Sequence, residues 1–142
     1  MQVSETMRIA APPERVWEVL VDVESWPTWT ASVGSARLLD GGPLAEGSRV
    51  QLRQPRLPKA VWVVTEFVDG RSFTWAARGP GVVSSAEHRV EGSATGSLVT
   101  LTFSQAGVLG RPAGLLAGGM VRRYVQMEAA GLKRRSEEPA AG

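Results

Sequence analysis

Three side chains carry most of the chemistry this chain can offer: its single histidine, His88, its single tyrosine, Tyr124, and Glu5, set into an otherwise apolar alternation. An imidazole exchanges protons near neutrality, so His88 is the natural general acid/base, or the anchor for a ligand carbonyl or hydroxyl. Period two along Val82–Glu91 groups Ala86, His88 and Val90 on one face and sends Glu87 and Arg89 to the other, which turns His88 inward. A lone inward histidine also reads as a hydrogen-bonded core residue, and both readings stay open. Tyr124 falls on the apolar stripe of a long helical segment, where its ring packs and its hydroxyl either reaches the interior or rests at the edge. Glu5 shares a face with Val3, Met7 and Ile9. It is either a buried carboxylate in need of a partner or is turned outward by a local bulge.

Other chemistries are excluded by what is missing. Without cysteine there is no disulfide framework, no thiolate nucleophile and no cysteine-held metal, and one histidine rules out multi-histidine sites. The glycines at Gly107, Gly110 and Gly114 lack the Lys-Ser/Thr ending of a phosphate loop. No nucleophile, base and orienting group can be assembled from spacing alone. The chain is expected to need no metal and no cofactor. The basic runs Arg122-Arg123 and Lys133-Arg134-Arg135 read as solvated helix surface, the second placed where cations favour a helix C-terminus, so nucleic acid is not the expected partner. Met1 to Ile9 alternate and carry Glu5 and Arg8, unlike the apolar run of a signal peptide, and no stretch approaches the length of a membrane span. A cytoplasmic protein without membrane insertion, monomeric or homodimeric, is the expectation.

Positioning these residues falls to a chain of 142 residues, the size of one domain. Residues 1–136 read as that domain, and residues 137–142, without an apolar anchor, as a disordered tail. The alternation at Val3–Ile9 is a first strand ended by Ala11-Pro12-Pro13. Proline suits a first helical turn, and Val16, Trp17, Val19, Leu20 and Val23 follow at helical spacing until Ser25-Trp26-Pro27 breaks it, leaving a short second helical turn through Trp29. The texture then becomes that of a meander. Strands are expected at Val33–Leu39, Ser48–Gln54, Val61–Val68, Ser72–Arg78, Val82–Glu91 and Leu98–Gln105, with Asp69-Gly70 the clearest hairpin turn. After Gly110-Arg111-Pro112, read as a stop, a helix is expected over Ala113–Arg135, with Leu116, Met120, Val121, Tyr124, Val125, Met127 and Leu132 on its apolar face. Gly114, Gly118 and Gly119 weaken its first half at about 1 kcal/mol each relative to alanine. Tight packing or a movable first turn must compensate.

The order strand, two short helices, six strands and a long helix resembles the helix-grip fold, and the motifs agree. Ile9-Ala10-Ala11-Pro12-Pro13-Glu14-Arg15-Val16-Trp17 and Asp22-Val23-Glu24-Ser25-Trp26-Pro27-Thr28-Trp29 resemble the opening of the polyketide cyclase/dehydrase and lipid-transport family of the START-like (SRPBCC) superfamily. Leu44-Ala45-Glu46-Gly47-Ser48-Arg49, Trp62-Val63-Val64-Thr65-Glu66 and the helix ending Glu128-Ala129-Ala130-Gly131-Leu132-Lys133-Arg134-Arg135 are similar to its later motifs, so the resemblance covers residues 3–136. It implies an α+β domain in which a seven-stranded antiparallel sheet curls around the C-terminal helix.

One helix, about 10 Å wide, cannot fill so bent a sheet, and the remaining space is the expected ligand site. Val99, Leu101 and Phe103 face it from the last strand, Ala86 and His88 from the strand before, and Met120 and Tyr124 from the helix. Val50, Leu52, Trp62 and Trp75 are the expected apolar walls, though the strand of Trp62 is hydrophobic on both faces. Five tryptophans against one tyrosine suit a partly wet apolar wall as well as a plain core. The implied function is binding of a small hydrophobic molecule, a lipid, polyketide or terpenoid. The alternative is a small cyclase, aromatase or dehydratase whose chemistry would fall to His88, Tyr124 or Glu5.

Overall fold

The structure, a computed structural model, describes residues 1–107 and 110–139, the last helix by its side chains from residue 119 onward. Strand β1 (Gln2–Ile9) leads through Pro12 into helix α1 (Pro13–Val21), whose first turn holds proline and Glu14 and which buries Val16, Trp17, Val19 and Leu20. A 3-10 turn, Val23–Thr28, buries Trp26, and its indole N–H donates to the Leu20 carbonyl at 2.9 Å. Six strands follow, β2 (Ser35–Leu38), β3 (Arg49–Arg53), β4 (Ala60–Val68), β5 (Ser72–Gly79), β6 (Val82–Ser93) and β7 (Gly96–Ala106), and then helix α2 (Gly110–Glu137).

All seven strands form one antiparallel sheet in the order β1-β7-β6-β5-β4-β3-β2. Chain neighbours pair except that β1 closes onto β7, which places the first strand beside the last and under the C-terminal part of α2. The Asp69-Gly70 turn works as its sequence demands, with Gly70 at φ 77°. A bulge between Val64 and Glu66 bends β4. The two-sided apolar character of β4 resolves with Trp62 and Val64 buried and Val61 and Val63 exposed.

Two rows of the concave face matter for the site. Leu101, His88 and Phe73 stand side by side across β7, β6 and β5, and one pleat further along come Phe103, Ala86 and Trp75. Beyond these lie Gln105, Ser84 and Ala77.

Most strand ends differ from expectation by a residue or two, and three differences have a visible cause. Strand β2 is shorter, because Gly34 already bonds the Arg53 carbonyl from outside the ladder and Val33 is buried as loop. Gly110-Arg111-Pro112 opens α2 instead of stopping short of it, which proline permits because the first turn has no use for its missing N–H. Glu137 is not tail: it closes α2, and its carboxylate accepts the Ala10 N–H at 2.7 Å and the Lys133 ammonium at 2.6 Å. Residues 140–142 lie outside the described residues, as do the surroundings of Gly114, Leu116 and Gly118. Among the described residues nothing stands within reach of a Cβ at Gly119, so packing against them is not what compensates for it. Among the described residues no helix is long and apolar enough to cross a membrane.

Candidate functional site

Between α2 and the β3–β7 part of the sheet lies a cavity of about 540 Å³, within the range of small-molecule sites. Its cause is visible in the rows above. Ala77, Ser84 and Ala86 are too short to reach α2, so the space over them stays empty, framed by Trp62, Trp75 and Phe103 from the sheet and by Met120, Val121 and Tyr124 from the helix. A smaller polar cleft of about 190 Å³, lined by Arg15, Glu18, Asp22 and Arg135, holds none of the candidate residues.

Leu52, Trp62, Trp75, Ala86, His88, Phe103, Met120 and Tyr124 all line this cavity. Val50, Leu101 and Glu5 do not. Val50 is fully buried between Trp62 and Leu38 in the ladder, and Leu101 is packed in the filled row with His88 and Phe73, one pleat short of the empty space. Glu5 lies on the same side of β1 as Val3 and Ile9 with no bulge to turn it, but β1 is covered by the far end of α2, and the carboxylate sits half-buried away from the cavity. Tyr124 keeps its ring in the cavity wall, while its hydroxyl donates to the Pro55 carbonyl and so is spent across the rim.

His88 is 2% exposed and clasped by aromatic rings: stacked on Phe73 at 4.2 Å, edge-on to Trp75 at 5.3 Å and to Trp26 at 5.6 Å. Its Nδ1 lies 3.2 Å from the Phe73 carbonyl, and its Nε2 lies 3.3 Å from Oε1 of Glu128 on α2. The carbonyl can only accept, so Nδ1 carries a hydrogen. Nε2 is turned toward the Glu128 carboxylate, across the gap between the sheet and α2. The approach is close but off the hydrogen-bond line, and Glu128 Oε1 is buried without a hydrogen-bond partner. What results is a buried imidazole beside a half-buried carboxylate in the lining of an apolar cavity. The indole N–H of Trp62, in the wall, is a second buried polar group without a partner.

Glu128 is the functional candidate that pattern reasoning passed over. Its signal was present, since it stands four residues beyond Tyr124 and eight beyond Met120, on the stripe that faces the sheet. Reading the stripe only for apolar residues hid the one charged group on it. Trp26 and Phe73, which hold the imidazole, were readable as core and nothing more. Among the described residues no cluster of ligating side chains could hold a metal ion.

Comparison with known proteins extends the description. The family described as "Polyketide cyclase / dehydrase and lipid transport" matches residues 1–137. No curated protein matches the sequence. Among solved structures, the Zhui aromatase/cyclase from Streptomyces sp. R1128 superposes with a TM-score of 0.76 at 22% identity, covering 100% of this chain and 98% of that one. A START superfamily protein from Mycobacterium smegmatis gives 0.74 at 18% identity, covering 96% and 97%. Protein jhp0584 from Helicobacter pylori gives 0.80 at 17% identity, covering 96% and 88%. At these identities the likeness is one of fold.

Proposed function

The chain belongs to the polyketide cyclase/dehydrase and lipid-transport family, and on that footing we propose that it binds a small hydrophobic molecule in the cavity between α2 and the sheet. The observation that carries this reading is the empty 540 Å³ over Ala77, Ser84 and Ala86, walled by Trp62, Trp75 and Phe103. A folded chain gains nothing by leaving apolar walls without partner atoms, since each lost contact is lost packing energy. Burial of apolar ligand surface at about 25 cal/mol per Å² drives binding, offset by the cost of immobilising the ligand. Native mass spectrometry after gentle purification tests it directly. A co-purified apolar molecule, displaced when the cavity is filled by Ala86→Leu, is the expected result; failure of any apolar compound to bind the folded protein would refute it.

A second reading, a small cyclase or dehydratase, is favoured by the His88–Glu128 pair. In an aldol closure one group removes a proton from the carbon beside a ketone, the resulting enolate carbon bonds to a second carbonyl carbon, and the new alkoxide takes up a proton. An imidazole beside a carboxylate can do both, taking the proton from carbon and returning it to the alkoxide, so the proton count closes without any other reagent. The carrier and enzyme readings separate on His88→Ala. A carrier loses one hydrogen bond, a change of roughly tenfold or less in affinity. An enzyme loses about 10²–10⁴ in turnover while ligand affinity stays nearly constant.

A further inference from the structure

Charge is distributed unevenly around the cavity. Lys59, just before β4, and Arg78, near the end of β5, are both exposed and both border it. Among the described residues neither has a carboxylate within ion-pair distance. The three segments that border this end, residues 54–61, 77–84 and 119–125, also contain Arg56, Arg122 and Arg123 and not one acid. Glu128, the single acid in the lining, faces His88 Nε2 at 3.3 Å. Trp62, 7% exposed and three residues from Lys59, adds its unpartnered N–H to the same wall.

Ammonium, guanidinium and indole only donate, the first two facing water and the indole N–H buried without a partner. One ligand group satisfies them together: an anion that only accepts. We propose that the molecule held in this cavity is an amphipathic anion, its apolar body among Trp62, Trp75 and Phe103 and its carboxylate or similar acid at the mouth, against Lys59 and Arg78. The opposite orientation would bring the acid toward the Glu128 carboxylate. The inference rests on the cavity-binding reading and names the class of its ligand.

Two dyes with the same aromatic body separate the two ideas. N-phenyl-1-naphthylamine is neutral, and 8-anilino-1-naphthalenesulfonate is its sulfonated counterpart. Both should bind, the sulfonate about fivefold tighter at low salt, as befits two partly exposed charge contacts. That preference should vanish in 1 M salt, where screening acts within about 3 Å, and in the double variant Lys59→Gln/Arg78→Gln, with the neutral dye unaffected. As a further check, decanoate should displace the neutral dye at lower concentration than 1-decanol does. Equal affinity of the two dyes, or a sulfonate preference that survives the double variant, would overturn the proposal. So would a preference lost only in Arg122→Gln/Arg123→Gln, since the anion would then lie on the helix. If the neutral dye itself does not bind, the cavity reading fails, and the ligand class with it.

Discussion

The two ends of the sheet–helix interface are built from the same elements and solve opposite problems. At the β1–β7 end α2 is drawn tight. Gly131 passes so close to the loop after the 3-10 turn that a Cβ would run into the Trp29 carbonyl, the Arg134 guanidinium donates to that same oxygen at 2.9 Å, and Lys133 reaches the Arg8 carbonyl at 3.1 Å. At the β4–β6 end the concave face carries Ala77, Ser84 and Ala86, and the helix stands off over empty space. Contact between helix and sheet is therefore graded along α2. The closed end supplies stability and a fixed frame, and the open end gives up packing and keeps a site. His88 and Glu128 sit at the boundary, held by the filled row and exposed to the empty one.

The comparison breaks most decisively at Gly131. Gly131→Ala should destabilise by about 3 kcal/mol, because the neighbour it strikes is backbone and cannot rotate away, and thermal unfolding should show a fall in Tm of roughly 10 °C. An unchanged Tm would mean that the closed end is looser than described. At the open end the same substitution should do the reverse. Among the described residues Gly119 has nothing within reach of a Cβ, so Gly119→Ala should gain up to about 1 kcal/mol from helix propensity and raise Tm by a few degrees.

Across the rim, Tyr124→Phe removes the hydrogen bond to the Pro55 carbonyl and nothing else. The expected cost is about 1 kcal/mol in denaturant unfolding, with faster amide exchange in residues 54–59. The smallest effect is electrostatic. The Ala10 N–H, and then the Lys133 ammonium, hold the Glu137 carboxyl below its ordinary value of 4.5. A carboxyl lowered in the folded state contributes stability above its unfolded value and loses it as pH falls through the folded one. Acid titration of unfolding should therefore show a slight loss of stability below about pH 4.5 that Glu137→Gln removes.

The fold was legible because its punctuation is local: proline at Pro12-Pro13, Asp69-Gly70, and alternation that changes to helical spacing after Gly107. The face of each strand was legible for the same reason, which is how Ala86, His88 and Phe103 could be placed together. Depth along a strand was not. Val50 and Leu101 have the right parity but lie one pleat from the empty space, and where the space begins depends on how far α2 stands from the sheet, a property of no single segment. Glu128 was missed because its meaning lies in a contact between elements forty residues apart in the chain, His88 and α2, that no periodicity reports. The small run Ser84-Ser85-Ala86 was the sequence's trace of the cavity, and it resembles any polar strand until the sheet is assembled.

The central claim, that the space over these small residues is a binding site for an apolar molecule, is tested most directly by titrating N-phenyl-1-naphthylamine into the wild type and into Ala86→Leu while following Tm of both. Filling the cavity should leave stability equal or slightly higher and weaken dye binding at least tenfold. Dye binding unchanged in the filled variant would place the apolar site elsewhere and contradict the account.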